Sequence, residues 1–423
     1  MGASQGTMGR WVRRAGVVAV AMCFLSAWVC PVTASADTSK AELVDKIEEL
    51  ERRLERMEER LRAYEKQEVE APTAQRPQDV GGVRGLDERL SELERIAKGV
   101  ELSGTIEVEA NYTDRDNKGD SDEESSDLNL ATAELGVNVG VTDDIKGRLL
   151  FLYEDDEDVV IDEAIIHYRA DGVCEPGQAC KVPFPWYASV GKLYIPFGYF
   201  ESHFISDPLT LELGETRETA LVTGLANDWL NVAAGVYNGD VDETGESDDH
   251  IENYVATARL TVPPDLIKGF NLMAGVSYVN NIADSNGLEG EDGVDGDSNT
   301  IEDYVGGFSA FASASMSDRY FLEAEYVGAT DDFKDGELAF GSGKRKPVAW
   351  NLEFAFAATE DITLGVKYEG SDDLGNFLPE EQYGAVISYG LAENVGVSLE
   401  YLYGEFENDD ERNQLTSQLA IEW

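Results

Sequence analysis

The sequence has 423 residues and a formal net charge of −51 at pH 7, with 84 acidic against 33 basic side chains. Such a negative field repels nucleic acid and attracts cations, although the acidic bias of a salt-adapted organism gives the same composition. No segment after residue 36 approaches the roughly 20 consecutive apolar residues of a membrane-spanning helix. The mature chain is therefore expected to be soluble or to cross a membrane by strands.

The first 36 residues resemble an export signal. Three arginines precede an apolar run over residues 15–32, and the small residues Ala34, Ser35 and Ala36 follow it. This pattern predicts a secretory signal peptide, cleaved before Asp37, rather than a membrane anchor.

Two cysteines, Cys174 and Cys180, remain after the signal peptide is removed. They flank a turn-rich stretch, and in an exported protein this spacing predicts one local disulfide. A zinc site would need further ligands, and the nearest histidine, His167, stands alone.

Residues 37–68 are expected to form a coiled-coil stalk. Their apolar side chains recur in steps of four and three, at Leu43, Ile47, Leu50, Leu54, Met57, Leu61 and Tyr64. The apolar stripe is narrow and the remaining faces are charged, so only a partner helix would bury it. Residues 69–100 follow as a linker with Pro72 and Pro77 and a short second helix.

From residue 101 to 423 the apolar period changes to two. In DITLGVKYEG, for example, Ile362, Leu364, Val366 and Tyr368 share one face. A soluble sandwich would alternate in the same way, so the connections carry the stronger signal. Short turns alternate with long acidic loops, which is typical of a barrel whose two rims differ.

We count sixteen strand candidates between Leu102 and Trp423, an even number as in single-chain bacterial barrels. The fold class predicted is a sixteen-stranded antiparallel outer-membrane β-barrel preceded by a short periplasmic helical coiled coil. The carboxy-terminal alternating strand ends in Trp423, which resembles the assembly signal of bacterial outer-membrane proteins. On this layout the acidic loops face the medium.

Residues 191–218 form the third outward connection, which is expected to fold into the lumen and narrow it. The residues predicted to form this constriction are Glu201, His203, Asp207, Glu212, Glu215, Arg217 and Glu218. A catalytic alternative would use His203 with Ser202 or Ser206, but adjacency in sequence does not supply the geometry of a triad. We therefore predict a filter and no catalytic residues.

Strand parity predicts the charged residues that line the lumen. They are Glu107, Glu109, Glu134, Arg148, Lys192, Arg259, Glu323, Glu325, Glu353, Lys367, Glu369 and Glu400. A register slip of one residue would exchange the two faces of any strand. No cofactor is expected, although the acidic run 289–297 suggests loose binding of divalent cations; no specific metal ligand is predicted.

Several runs resemble the LbtU family of siderophore-associated outer-membrane porins. They include the heptad segment, SGTIEVEANYTD, VIDEAIIHYR, LYIPFG and SDPLTLELGETRE, and the resemblance is densest over residues 103–218. It implies a sixteen-stranded barrel with a periplasmic coiled coil, linked to uptake of a ferric siderophore. No plug domain precedes the barrel, so passive diffusion is the expected mechanism.

The predicted function is an outer-membrane porin that gives passive, loop-filtered diffusion of small solutes, possible substrates being ferric siderophores or metal cations. The expected partners are outer-membrane lipid and lipopolysaccharide, the solute and two further copies in a homotrimer, with no nucleic acid. An alternative is an envelope-tethering protein whose barrel is only an anchor. An outer-membrane hydrolase is a third hypothesis, and loss of His167 or His203 would test it.

Overall fold

The computed structural model describes residues 99–118, 121–154, 158–169, 185–245, 250–262, 266–289, 293–294, 299–340 and 342–423. The predicted signal peptide, the coiled-coil stalk and the disulfide between Cys174 and Cys180 lie outside these residues, as does the linker up to residue 98. No helix in the described ranges has the length and apolar character needed to cross a membrane.

The described residues form mainly antiparallel strands. They are β1 (Val100–Asp116), β2 (Glu123–Gly140), β3 (Ile145–Glu154), β4 (Val160–Arg169), β5 (Trp186–Tyr194), β6 (Arg217–Ala226), β7 (Leu230–Tyr237), β8 (Asp242–Glu243), β9 (Asn253–Val262), β10 (Phe270–Val279), β11 (Thr300–Ile301), β12 (Gly307–Met316), β13 (Tyr320–Ala329), β14 (Val348–Ala357), β15 (Ile362–Asp372), β16 (Glu381–Ala392), β17 (Val395–Glu405) and β18 (Glu411–Glu422). A six-residue helix, α1 (Leu209–Gly214), lies between β5 and β6.

All strands except β8 and β11 join into one closed barrel of sixteen. Each barrel strand pairs with its neighbour along the chain, and β1 closes the barrel against β18, where Tyr112 lies opposite Leu415. Strands β8 and β11 form a separate parallel pair within the connections. The predicted sixteen-stranded fold is confirmed.

The alternation of each strand separates a lipid-facing surface from an inner wall. In β14, Leu352 and Phe354 are 48% and 44% exposed, whereas Asn351, Glu353 and Ala355 are buried. Successive side chains of a strand point to opposite faces, so the exposed apolar set covers the outside of the barrel. Polar groups can then face the interior, as in barrels that hold water.

The two rims differ in the length of their connections. Short turns such as 317–319 and 358–361 lie at one rim, and long connections such as 195–216 and 280–299 lie at the other, which we call the outer rim. The turn after β12 is tight because Ser317 and Asp318 both adopt positive φ, 56° and 50°. Asp tolerates this left-handed conformation better than most residues.

A buried apolar core lies where the long connections pack against the inner wall. It joins α1 to the long connections and includes Leu213, Ile282, Leu288 and Phe333, each at most 1% exposed. A sixteen-stranded wall alone encloses water, so apolar side chains inside it are buried only where chain segments enter the lumen. The packing of these connections therefore determines where a passage remains.

Candidate functional site: the loop 3 constriction

Loop 3, defined here as residues 195–216, leaves β5 and turns sharply into the barrel. Pro196 ends the strand pairing and Gly198 adopts φ 77°, which favours glycine. A Cβ atom on Gly198 would lie 2.1 Å from the ring of Phe200. Phe200 itself has φ 56°, so a bulky residue is held in a conformation it rarely adopts.

Glu325 of β13 is the first carboxylate of the inner wall that loop 3 contacts. Its carboxylate accepts hydrogen bonds from the backbone N–H groups of Tyr199 at 2.8 Å and Phe200 at 2.9 Å. Thr210 and Ser309 donate their hydroxyls to the same carboxylate at 3.3 and 3.2 Å. Burial of this carboxylate is therefore offset by four hydrogen bonds.

Glu353 of β14 makes the second contact. The Ser202 hydroxyl donates to it at 2.7 Å and the His203 backbone N–H at 3.0 Å. Glu353 is 1% exposed, so both bonds are shielded from water. They are also charge-assisted, which makes them stronger than bonds between neutral groups.

Glu400 of β17 makes the third contact, further around the barrel. It accepts the backbone N–H groups of Ile205 at 2.7 Å and Ser206 at 3.1 Å, and the Ser206 hydroxyl also donates to it. Loop 3 thus follows the inner wall from β13 to β17.

The helix α1 is held by Glu369 of β15. Glu369 accepts the Leu209 backbone N–H at 3.1 Å and the Gln382 side-chain amide at 2.7 Å, and it pairs with Lys367 Nζ at 2.7 Å. Both members of this ion pair are buried, where a charge is tolerated only when paired and hydrogen-bonded. The Leu213 side chain is fully buried beneath the helix.

We call Glu325, Glu353, Glu369 and Glu400 the docking carboxylates. They hold loop 3 against β13–β15 and β17, and Tyr199 stacks on Phe311 of β12 with ring centroids 4.7 Å apart. The Gly198 N–H also donates to the Ser277 hydroxyl of β10 at 3.0 Å. Loop 3 is therefore bonded to the inner wall between β10 and β17.

Strands β1–β4 also carry charged side chains on their inner faces. Glu107, Glu109 and Glu134 are partly exposed on the inner faces of β1 and β2. Arg148 of β3 pairs with Glu163 of β4, Nε to Oε2 at 2.5 Å. This pair leaves an excess of carboxylates along the wall.

The structure places eleven of the twelve predicted lumen residues in two groups. Those on inner faces that keep partial exposure are Glu107, Glu109, Glu134, Arg148, Arg259 and Glu323. Those buried beneath loop 3 are Lys367 and the four docking carboxylates. The second group was expected to meet the water of the lumen, but loop 3 covers it.

The twelfth residue, Lys192, lies opposite Ala164 and Thr219 in the sheet. Gly191 before it has φ 136°, which interrupts the regular alternation of β5. The prediction that Lys192 lines the lumen stays a prediction.

The predicted constriction residues occupy two different settings. Glu201 and Asp207 lie on the exposed surface of loop 3, and within the described residues their carboxylates join no hydrogen bond or ion pair. Enclosure by the barrel raises the pKa of Asp207, whereas Lys367 lowers it. Glu212 is half-buried in α1, and burial also raises its pKa.

Glu215 and Arg217 stand where loop 3 rejoins the barrel. Burial, with smaller contributions from Asp207 and Asp162, raises the pKa of Glu215 to about 7. Arg217 opposes this rise. Arg217 begins β6 and donates to the buried carboxylate of Asp162. Tyr194 donates its hydroxyl to that carboxylate at 3.0 Å. Arg217 is therefore paired with β4 as well as standing near Glu215.

His203 and its neighbouring serines do not form a triad. The His203 ring lies against Phe321, with centroids 5.1 Å apart. The hydroxyls of Ser202 and Ser206 donate to Glu353 and Glu400, not to the imidazole. These bonds are those of a docked loop and do not activate a nucleophile.

A second segment, residues 280–289, packs on the end of loop 3, a contact that was not predicted from the sequence. The Asn286 backbone N–H donates to the Glu215 carbonyl at 2.7 Å, and its side chain bonds the Glu215 carboxylate at 3.2 Å. A Cβ atom on Gly287 would lie 1.8 Å from the Glu212 carbonyl oxygen. The buried Asp284 accepts the Val241 backbone N–H at 2.9 Å.

Three carboxylates near this segment are close enough to share a cation. Oxygens of Glu218, Asp240 and Glu289 lie within 4.8 Å of one another. Burial and Asp240 raise the pKa of Glu289, whereas Arg217 and Lys192 lower it. Glu289 begins the acidic run 289–297, most of which lies outside the described residues.

Sequence comparison relates the chain to proteins named only as UPF0422, and no family model matches it. It is 24% identical over 325 residues to a UPF0422 protein of Coxiella burnetii, which covers 75% of this chain and 66% of the relative. A UPF0422 protein of Legionella pneumophila strain Lens is 22% identical over 326 residues, covering 71% of this chain and 58% of the relative. The chain thus spans less than two thirds of the length of these relatives.

Solved structures with a similar fold are outer-membrane proteins. The outer membrane channel DcaP of Acinetobacter baumannii matches with a TM-score of 0.51 at 15% identity, over 77% of this chain and 97% of that one. OmpF of Salmonella typhi, solved in complex with daunomycin, also gives 0.51, at 11% identity over the same shares. Their likeness shows that this chain shares the barrel fold of such proteins.

Proposed function

We propose that the chain is an outer-membrane porin through which small solutes diffuse passively past loop 3. The observation that carries this proposal is the attachment of loop 3 by the docking carboxylates to one half of the inner wall. A barrel that served only as an anchor would need no segment fastened across its lumen. The apolar outer face, which includes Leu352 and Phe354, suits a lipid environment.

The charge of the passage favours cations over anions. Glu201 and Asp207 on loop 3, with Glu107 and Glu134 on the inner faces of β1 and β2, leave an excess of carboxylates, whereas Arg148 pairs with Glu163. Carboxylates along a narrow passage attract cations and repel anions. Metal cations are therefore better supported as solutes than polycarboxylate siderophores, which the family resemblance suggests.

The remaining parts of the proposal are assembly and surroundings. We place the barrel in a Gram-negative outer membrane, with the predicted stalk in the periplasm and the outer rim facing lipopolysaccharide and the medium. Three copies, held in part by the predicted coiled coil, would form the working unit. These placements extend the fold and the sequence pattern and need their own measurements.

Conductance of the purified full chain in planar lipid bilayers tests the proposal. We expect current steps in groups of three and, under a potassium chloride gradient, a reversal potential that favours potassium. Silence from protein that is shown to be folded, by strand-rich circular dichroism and heat-modifiable migration, would refute a porin and favour the envelope-tethering alternative. Single steps with normal selectivity would refute only the trimer.

A further inference from the structure

Loop 3 folds back on itself and borders a half-open cavity of about 430 Å3. We call this space the loop 3 cavity. Residues from both limbs of loop 3 line it, so its shape depends on the docked conformation. Its volume lies in the range of pockets that hold small organic molecules.

Aromatic rings supply much of the apolar lining of the loop 3 cavity. They belong to Tyr194, Tyr199, Phe200 and Phe204. Tyr199 is held in place by its stack on Phe311. Phe204 already receives a cation, because Lys367 Nζ lies 4.8 Å from its ring centroid. Aromatic faces attract cations, and more strongly in a partly desolvated site.

Carboxylates complete the lining. Glu201, Asp207 and Glu215 all border the loop 3 cavity. Within the described residues, Glu201 and Asp207 have no hydrogen-bond or ion-pair partner, in contrast to the docking carboxylates, each of which is fully engaged. Lys367, the cation nearest to Phe204, is already paired with Glu369 at 2.7 Å. The cavity therefore offers negative charge beside aromatic surface, and the nearby cations Lys367 and Arg217 are already paired with Glu369 and Asp162.

We propose that the loop 3 cavity is a binding subsite for organic ammonium cations that carry an aromatic or apolar body. The proposal rests on the proposed porin function, in which such a solute pauses here while it crosses the barrel. The ammonium group would lie between the Glu201 and Asp207 carboxylates, and the apolar body would contact the rings of Tyr199 and Phe204. An aromatic anion would be repelled, and a neutral aromatic molecule would lose the ionic contacts.

Equilibrium binding tests the cavity independently of transport. The probe is para-fluorophenethylammonium, observed by fluorine NMR line broadening with the full chain in detergent micelles. The matched probes are the corresponding neutral alcohol and para-fluorophenylacetate. We expect saturable broadening for the cation, at least about tenfold weaker binding for the alcohol, and none for the anion.

Variants connect this binding to the cavity. The double variant Glu201→Gln and Asp207→Asn removes the free carboxylates, and we expect the dissociation constant of the cation to rise about tenfold or more. Phe204→Leu removes the aromatic ring and should weaken binding, whereas Phe204→Tyr keeps the ring and should bind the cation as the wild type does. Glu107→Gln, on the inner face of β1 and outside the cavity lining, is the control and should change the dissociation constant by less than about twofold.

Bilayer recordings of the same proteins separate this inference from the proposed function. Block of potassium current by the cation at its measured dissociation constant supports both. Binding without any conductance would overturn the porin and leave the subsite standing. Conductance with no saturable binding, or binding that the double variant leaves unchanged, would overturn the subsite and leave the porin standing.

Discussion

Truncation of Glu325 to alanine should release the first limb of loop 3. In the wild type its carboxylate accepts the Tyr199 and Phe200 backbone N–H groups at 2.8 and 2.9 Å, and it is only 9% exposed. Removal of the carboxylate leaves both donors without an acceptor. Phe200, at φ 56°, would then lose one of the contacts that hold it in a conformation it rarely adopts.

The size of the effect follows from the two lost bonds. Hydrogen bonds to a charged group contribute about 1.5–3 kcal/mol each, so their sum is about 3–6 kcal/mol. Water that enters the vacated space would restore part of this, so we expect a loss near the lower end, about 3 kcal/mol. That loss raises the population of the undocked first limb about 100-fold. Glu353 and Glu400 still hold the rest of the loop.

Hydrogen exchange read by mass spectrometry on peptides that cover residues 197–204 measures this change directly. We expect exchange of these amides to accelerate in Glu325→Ala and the single-channel current to become larger and noisier. Glu323→Gln is the matched control, because Glu323 lies on the same face of β13 but accepts only the Ser313 hydroxyl, at 2.9 Å. Wild-type protection of Tyr199 and Phe200 in Glu325→Ala would refute the docking role of this carboxylate.

Three further predictions concern the outer half of the barrel. Because the pKa of Glu215 is about 7, its negative charge is lost as pH falls from 8 to 6. The reversal potential should show a falling preference for cations over that range, and Glu215→Gln should make the preference less dependent on pH. Gly287→Ala should lower the thermal midpoint and raise conductance, since its Cβ would meet the Glu212 carbonyl oxygen at 1.8 Å; Gly396→Ala, with no atom within 4 Å, should do neither. Burial raises the pKa of Asp284 well above 3.8, so as pH rises the carboxyl group loses its proton in the unfolded chain before it does in the folded chain. The free energy of unfolding therefore falls with rising pH, and Asp284→Asn should remove this slope from the pH dependence of the thermal midpoint.

The barrel could be predicted from the sequence because the membrane imposes a regular pattern. Lipid on one side and water on the other force a period of two, and DITLGVKYEG corresponds to most of β15. The short turns could be predicted for a similar reason, since a tight turn between two adjacent antiparallel strands needs few residues and favours turn-forming types. The faces of a strand are harder to assign from sequence than its period, because each strand sets its own parity and a one-residue shift reverses it.

The docking of loop 3 could not be predicted, because it depends on where one segment meets strands more than a hundred residues away. Glu323 and Glu325 are two residues apart on one face of β13, and local sequence does not distinguish them. Glu325 receives two backbone N–H groups of loop 3, whereas Glu323 bonds a serine on the neighbouring strand. Only the path of loop 3 through the lumen determines that Glu325 binds the loop and Glu323 does not.

This distinction changes how the charge of the passage is counted. The net charge of −51 and the acidic inner positions suggest a lumen crowded with carboxylates. Glu353, Glu369 and Glu400 are at most 1% exposed, and backbone N–H groups, hydroxyls and Lys367 satisfy them, so a passing ion cannot contact them directly. Direct contact is left to the carboxylates without partners, chiefly Glu201 and Asp207. Neutralising these two should alter ion preference more than neutralising one buried carboxylate, because an ion can come closer to them and the attraction falls with distance.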